Sequence, residues 1–160
     1  VTDEIARAVA GTASRFYDIA PTPKPRMTRR DKWKPSDAAL RYFAFRDAVG
    51  WAKIELPADF FHVVFLIQVP PSWSRKKRTE HIGQPHTQTP DADNLVKGLI
   101  DAVYRDADDA HVWNYATTKL WSGMSGLVIS ETWFPFWELP VDLPTLVRGT
   151  FSTIDSDPDV

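Results

Sequence analysis

Residues 89–112 read TPDADNLVKGLIDAVYRDADDAHV, and the whole chain is organised by how this stretch folds. Between Asn94 and Arg105 the apolar side chains are Leu95, Val96, Leu99, Ile100 and Val103. They share one face of a helix with 3.6 residues per turn. Asp93 stands where an N-cap is expected, with Pro90 just outside. Carboxylates crowd both ends of this helix, Asp91 and Asp93 before it and Asp108 and Asp109 after it, in a chain whose formal net charge is only -2.

Working outward, FFHVVFLIQVP (60–70) is β-branched and aromatic, too short for a long buried helix, and stopped by Pro70 and Pro71. It predicts a central strand. On the C-terminal side, HVWNYATTKLW and GLVISETWFPFW predict two strands, joined through SGMSG (122–126) as an antiparallel hairpin. SDAALRYFAFRDAVGWAK (36–53) predicts a second helix, with Ser36 as cap and Leu40, Phe43, Ala44, Ala48 and Trp51 on one side. The basic stretch SWSRKKRTEHIG (72–83) predicts a helical turn or loop closed by Gly83, and QPHTQTP (84–90) an extended connector. Residues 1–15 have the composition of a short helix, and the prolines of 20–27 forbid one there. The sum is an α+β fold, a small mixed sheet with helices packed against it. Residues 1–160 form a single domain in this reading, with 1–18 and 139–160 as peripheral extensions.

Composition bounds the function. The 160 residues are 43% hydrophobic, enough for a real core. No cysteine is present, which excludes disulfides and thiolate chemistry and fits a reducing compartment. No apolar run reaches the roughly 18 residues of a spanning helix, and no signal peptide is visible, so a soluble, cytoplasmic protein without membrane contact is expected. Charge is segregated: residues 24–34, KPRMTRRDKWK, and the cluster Arg75–Arg78 are basic, whereas acids gather in 91–109 and in the last six residues. Charge runs of this kind are ordinarily solvated loops, and here they also suit a phosphate-rich partner.

The carboxylates carry the chemistry. If Asp91 and Asp93 straddle a helix start in extended geometry, their side chains point the same way. Their hard oxygens then suit Mg²⁺ or Mn²⁺. A strand running back beside the connector would let Asp108 or Asp109 complete the cluster. Read plainly, the same residues are only a cap and a turn. A calcium-binding EF-hand is excluded, because its loop positions 5, 6 and 12 would be Leu95, Val96 and Ala102. Lys97 stands one turn beyond Asp93 on the same side, either as an i,i+4 ion pair or as a fixed cation beside a reacting phosphate. Asp101 reads as structural, paired to Lys97.

The ordered combination of Pro90, Asp91, Asp93, Asn94, Lys97, Asp101, Ala102, Asp108 and Asp109 resembles the RusA family of Holliday junction resolvases. The resemblance extends loosely from residue 21 to Val128; residues 1–18 and the Trp- and Pro-rich tail from Trp133 have no counterpart in it. It implies a small homodimer that uses Mg²⁺, with Mn²⁺ able to substitute, to cut four-way DNA junctions in a bacterial cell, a phage or prophage origin suiting the family. It implies that Asp91, Asp93 and Asp109 carry the metal chemistry, with Asp108 as the ambiguous neighbour, and that Lys97 is essential without being a ligand. His86 and Lys119 match a histidine and a basic position of relatives. Arg26, Arg29, Arg30, Lys32, Arg75, Lys76, Lys77 and Arg78 are then candidates for DNA contact, with His86 and Lys119. Trp133, Phe134, Phe136 and Trp137 either cover the core or build the dimer.

Three other functions are open to the sequence. A nucleotidyltransferase would want a glycine-rich phosphate cradle, which seven scattered glycines do not provide. A catalytically silent junction-binding protein would have no need of Asp91, Asp93, Lys97 and Asp109 together. An endonuclease for other branched DNA would keep all four.

Overall fold

The computed structural model describes residues 14–105 and 107–133. Its frame is one mixed sheet of four strands in the order β1-β4-β2-β3, formed by β1 (Ser14–Tyr17), β2 (Phe61–Gln68), β3 (Tyr115–Ser122) and β4 (Gly126–Ser130). β2 runs parallel to β3 and antiparallel to β4, and β1 closes the far edge antiparallel to β4. Three helices complete the described chain: α1 (Asp37–Trp51), α2 (Arg75–His81) and α3 (Ala92–Val103), with a single 3-10 turn at Arg29–Lys32. This is the expected α+β class. Residues 1–13 and 134–160, and with them most of the predicted N-terminal helix and the aromatics Phe134, Phe136 and Trp137, lie outside the described residues. Ser14 and Arg15, read as the end of that helix, instead open strand β1.

β2 explains the topology. FHVVFLIQ is apolar at nearly every position, so a strand with period-two alternation buries both faces. Phe61, Val63 and Phe65 point to the side of α1 and α3, where they meet Tyr42, Phe45, Val49, Leu95, Leu99, Leu127 and Ile129. Val64 and Leu66 point to the other side and meet Leu120, Val128 and Phe16. Such a strand belongs between two partners. The expected hairpin is therefore replaced by a crossover: residues 123–125 carry the chain over the end of β2, so that β3 and β4 flank it. Ser122 pairs with Gln68, Gly126 faces Leu66, and the Val69 amide donates to the Ser122 carbonyl at 2.9 Å. A hairpin would have left one edge of β2 without a partner.

α1 buries a different stripe from the one predicted. Ala39, Tyr42, Phe45 and Val49 face the core, while Leu40 and Trp51 are 52% and 88% exposed. Apolar residues lie all round this helix, so periodicity supports more than one face and packing against α3 selects among them. α3 is the opposite case. Its apolar residues form one stripe, and the structure buries Leu95, Val96, Leu99, Ile100 and Ala102 along it. Leu95 and Leu99 are completely enclosed, so truncating either to alanine costs about 2–5 kcal/mol. Burial of this stripe leaves the polar side of α3 for the site. Among the described residues, no helix is long and apolar enough to cross a membrane.

Candidate active site

α3 starts two residues before the predicted position. Asp91 is its N-cap, with extended backbone (φ -70°, ψ 148°), and its carbonyl accepts from the Leu95 amide at 3.1 Å. Asp93 therefore lies inside the first helical turn. The expectation that Asp91 and Asp93 converge from an extended segment is corrected accordingly. The sequence offers an aspartate at both positions, and the earlier one gains further backbone pairing for the helix. The Asp91 side chain makes no capping hydrogen bond, and the carboxylate of Asp93 sits where the helix terminus favours negative charge.

Asp93, Lys97 and Ile100 recur along one side of α3 and line an open cavity of about 450 Å³. Across from them the cavity is closed by Asp109, Val112 and Tyr115. The turn after α3 sends the adjacent aspartates to different places. The Ala107 amide bonds the Tyr104 carbonyl at 2.8 Å, and the Asp108 carboxylate turns inward on its own loop, accepting from the Ala110 amide at 2.9 Å. The Val112 amide then reaches the Asp109 carbonyl at 2.9 Å, and the chain enters β3 with Asp109 at the cavity. Asp93, Lys97 and Asp109 are brought together; Asp91 and Asp108 are not among the residues lining the cavity.

Lys97 makes no ion pair among the described residues: the predicted partnership with Asp101 is not formed. Asp101 instead holds Lys24, Nζ to Oδ2 at 2.6 Å. This half-buried bridge fastens the Pro-rich segment before the 3-10 turn onto α3, and the Lys24 amide adds a longer bond to the Asn94 carbonyl at 3.4 Å. Gly98 permits the approach. A Cβ at that position would stand 3.0 Å from the Thr22 carbonyl oxygen and 3.1 Å from the Lys24 nitrogen. With Asp101 occupied by another cation, Lys97 is left to the cavity.

The carboxylates of Asp93 and Asp109 supply oxygen donors of the right type for a hard divalent cation, and Lys97 adds a positive charge beside them. They are not closed around a common point: among the described residues, no three Asp, Glu or His side chains are gathered closely enough to hold an ion. Mutual repulsion between carboxylates opposes such closure until a cation offsets it.

A family model described as Endodeoxyribonuclease RusA matches residues 17–130, from the last residue of β1 to the last of β4. The chain belongs to the RusA endodeoxyribonuclease family. That membership makes DNA cleavage the activity to be explained, and it covers nearly the whole sheet, the three helices and the cavity. A search of curated proteins finds no match.

In this RusA-family chain the connector between α2 and α3 is docked along the outer edge of β3, as a strand running back beside it requires. The Gly83 amide donates to the Trp121 carbonyl at 2.8 Å, the Trp121 amide to the Gln84 carbonyl at 2.9 Å, and the His86 amide to the Lys119 carbonyl at 3.0 Å. Lys119 then donates its ammonium to the carbonyls of Gln88 and Pro90, at 2.8 and 2.5 Å. Its position is thus that of a clasp holding the approach to Asp91. His86 is 5% exposed, packs on Trp121 with ring centroids 4.1 Å apart, and is kept below the ordinary imidazole range by burial and by the charge of Lys119. Neither residue presents a free cation at the cavity.

The basic candidates are better placed for an external anion. Arg26, Arg29, Arg30 and Lys32 are all exposed. Asp31, the acid among them, is taken up by the Thr28 hydroxyl and the Thr28 and Ser36 amides, and those bonds hold its carboxyl well below the usual range. It staples the turn. Arg75–Arg78 form most of α2, which is a regular helix capped by Ser74. Lys77 lies over the Trp73 ring at 3.9 Å, and Trp73 packs on Trp121 at 5.1 Å, so this cluster is fixed to the β3 edge. The clasp by Lys119, the strap by Lys24 and the aromatic wall at Tyr115 were not predicted. Gly98 and the unusual run of prolines before it carried the only sequence trace of the strap.

Proposed function

We propose that this protein is a Mg²⁺-dependent, structure-selective endodeoxyribonuclease that resolves four-way DNA junctions by paired phosphodiester hydrolysis in recombination and repair. The observation that carries the proposal is the shared cavity of Asp93, Lys97 and Asp109 within a RusA-family fold. In this reading Asp93 and Asp109 are the metal ligands, joined by Asp91 from the helix start. Bound there, a divalent cation supplies activation of water and neutralisation of the phosphate. Lys97 contributes a fixed positive charge toward the oxygens of the reacting phosphodiester, where negative charge accumulates in the transition state. Val96, Ile100 and Val112 give the cavity an apolar floor that strengthens this interaction by limiting water. The clasp at Lys119 holds the segment that leads into Asp91, and the strap at Lys24 holds the side of α3 at Asn94 and Asp101. A homodimer with two-fold symmetry matches a substrate of approximate two-fold symmetry, placing one site on each of two opposed strands.

The test is incubation of the purified protein with a synthetic four-way junction and a linear duplex of the same sequence, with Mg²⁺ present or omitted. Symmetric nicking of the junction only with the metal, and little cutting of the duplex, is expected. Junction binding without cleavage under Mg²⁺ or Mn²⁺ would favour the silent binding protein. Equal cutting of flaps or forks would move the assignment to another branched substrate.

A further inference from the structure

The wall of the cavity opposite α3 is aromatic. Tyr115 lines the cavity with Asp93, Lys97 and Asp109, yet its ring is fixed from behind. It stacks on Phe61 with centroids 5.5 Å apart and an interplanar angle of 14°. Phe61 is itself fully enclosed in the core at 1% exposure, whereas Tyr115 remains 45% exposed. A ring held flat on a buried partner has already lost its rotamer freedom, so stacking a planar ligand on its outer side costs little further entropy. Two residues earlier, Trp113 is 72% exposed, between the cavity-lining residues Val112 and Tyr115. The Trp113 ring and the outer face of Tyr115, left in water, gain nothing from burial where they stand.

The flanks of the cavity differ in character. Asn94 and Asp101, on the next side of α3, hold the strap that leads into the exposed basic run from Arg26 to Lys32. Charge for a sugar-phosphate backbone thus lies on one flank and aromatic surface on the other. A ligand with phosphates at one edge and a planar ring at the other fits both.

We propose that Tyr115 and Trp113 form a stacking platform for a nucleobase that is unstacked at the branch point, next to the phosphodiester held by Asp93, Lys97 and Asp109. The inference rests on the junction-cleaving reading above and deepens it. Base selection by stacking favours DNA whose bases are already free of their neighbours, so the platform discriminates branched from linear DNA without reading a sequence. Neither ring donates or accepts a proton in the reaction; they position the strand.

The experiment compares the wild type with Tyr115→Leu, Tyr115→Phe and Trp113→Ala. Affinity is measured by fluorescence anisotropy, in EDTA, for a synthetic four-way junction and for a linear duplex of the same sequence. Tyr115→Leu and Trp113→Ala are expected to weaken junction binding about ten-fold each while leaving duplex binding within about two-fold, as removal of one base-stacking interaction predicts. Tyr115→Phe keeps the ring and is expected to match the wild type on both substrates. Equal losses on junction and duplex, or unchanged junction affinity in Trp113→Ala, would overturn the proposal. Trp113 is largely in solvent, so that variant decides the matter even if circular dichroism shows Tyr115→Leu to be unfolded. Failure of the cleavage reading is seen separately, as a wild-type protein that does not cut the junction in Mg²⁺.

Discussion

Asp108 and Asp109 are chemically identical neighbours separated in role by the backbone. One accepts the Ala110 amide and closes a turn, and the other borders the cavity with Asp93 and Lys97. The same logic applies to Lys97, whose helical spacing allowed an ion pair with either Asp93 or Asp101. Because Lys24 occupies Asp101, Lys97 keeps its charge for the cavity. Lys97→Ala is expected to lower single-turnover cleavage of a four-way junction by about 100-fold, the scale of losing one transition-state donor. Circular dichroism should show an intact fold, and a variant that cuts normally would make Lys97 a surface lysine. The D-x-D-N-x-x-K spacing was legible from sequence because it lies within one helical turn or two. The partner of Asp101 was not, because Lys24 is 77 positions away.

Two buried histidines give a pH dependence of defined sign. Burial lowers the imidazole pKa of both His62 and His86 from the ordinary value of 6.5. The unfolded chain therefore binds protons that the folded chain refuses. Stability is fully present above about 6.5 and falls as pH drops from there toward the lowered folded values. Melting temperatures recorded between pH 7.5 and 5 should decline on the acid side, and His86→Gln should flatten part of that decline. An identical slope in the variant would show that His86 does not carry the effect.

At the scale of elements, α3 was legible and α1 only in part. The single apolar stripe of α3 allowed one way to pack, whereas apolar residues around α1 left its buried face to be chosen by tertiary contact. The crossover between β3 and β4 was hidden for a related reason: SGMSG has the composition of a tight turn, and only the need to pair both edges of β2 reveals that it spans a strand. Gly98 tests the fit of the strap on α3. Alanine would favour the helix by about 1 kcal/mol. Its Cβ would press against Thr22 and Lys24 at 3.0 and 3.1 Å, and crowding of that kind costs about 1–3 kcal/mol. Gly98→Ala is expected to destabilise the protein in urea unfolding and to loosen the strap. A gain in stability would mean that the strap yields without cost.

For the whole molecule, the two basic clusters are attached to different parts of the frame, one strapped to α3 and one fixed to the far end of β3. Tyr115, at the cavity, and Trp121, on which Trp73 packs, lie near opposite ends of β3, about 20 Å apart along the strand. In the proposed function, a cluster anchored at that end contributes to holding DNA and little to the chemistry. Replacing Arg75, Lys76, Lys77 and Arg78 by glutamine should weaken junction binding. It should also reduce the slope of log affinity against log salt by about 0.9 for each phosphate that is no longer neutralised. The rate of cutting at saturating protein should hardly change. An unaltered slope would remove α2 from the DNA-binding face.

The central claim is that Asp93, Lys97 and Asp109 act as one site, and the adjacent aspartates test it most directly. Single-turnover cleavage of a synthetic four-way junction in Mg²⁺ is to be measured for Asp109→Asn and Asp108→Asn beside the wild type, with junction affinity measured in parallel. The account predicts that Asp109→Asn binds the junction at least as tightly as the wild type and no longer cuts it, while Asp108→Asn still cuts. Retained cutting by Asp109→Asn, with its loss in a folded Asp108→Asn, would contradict it.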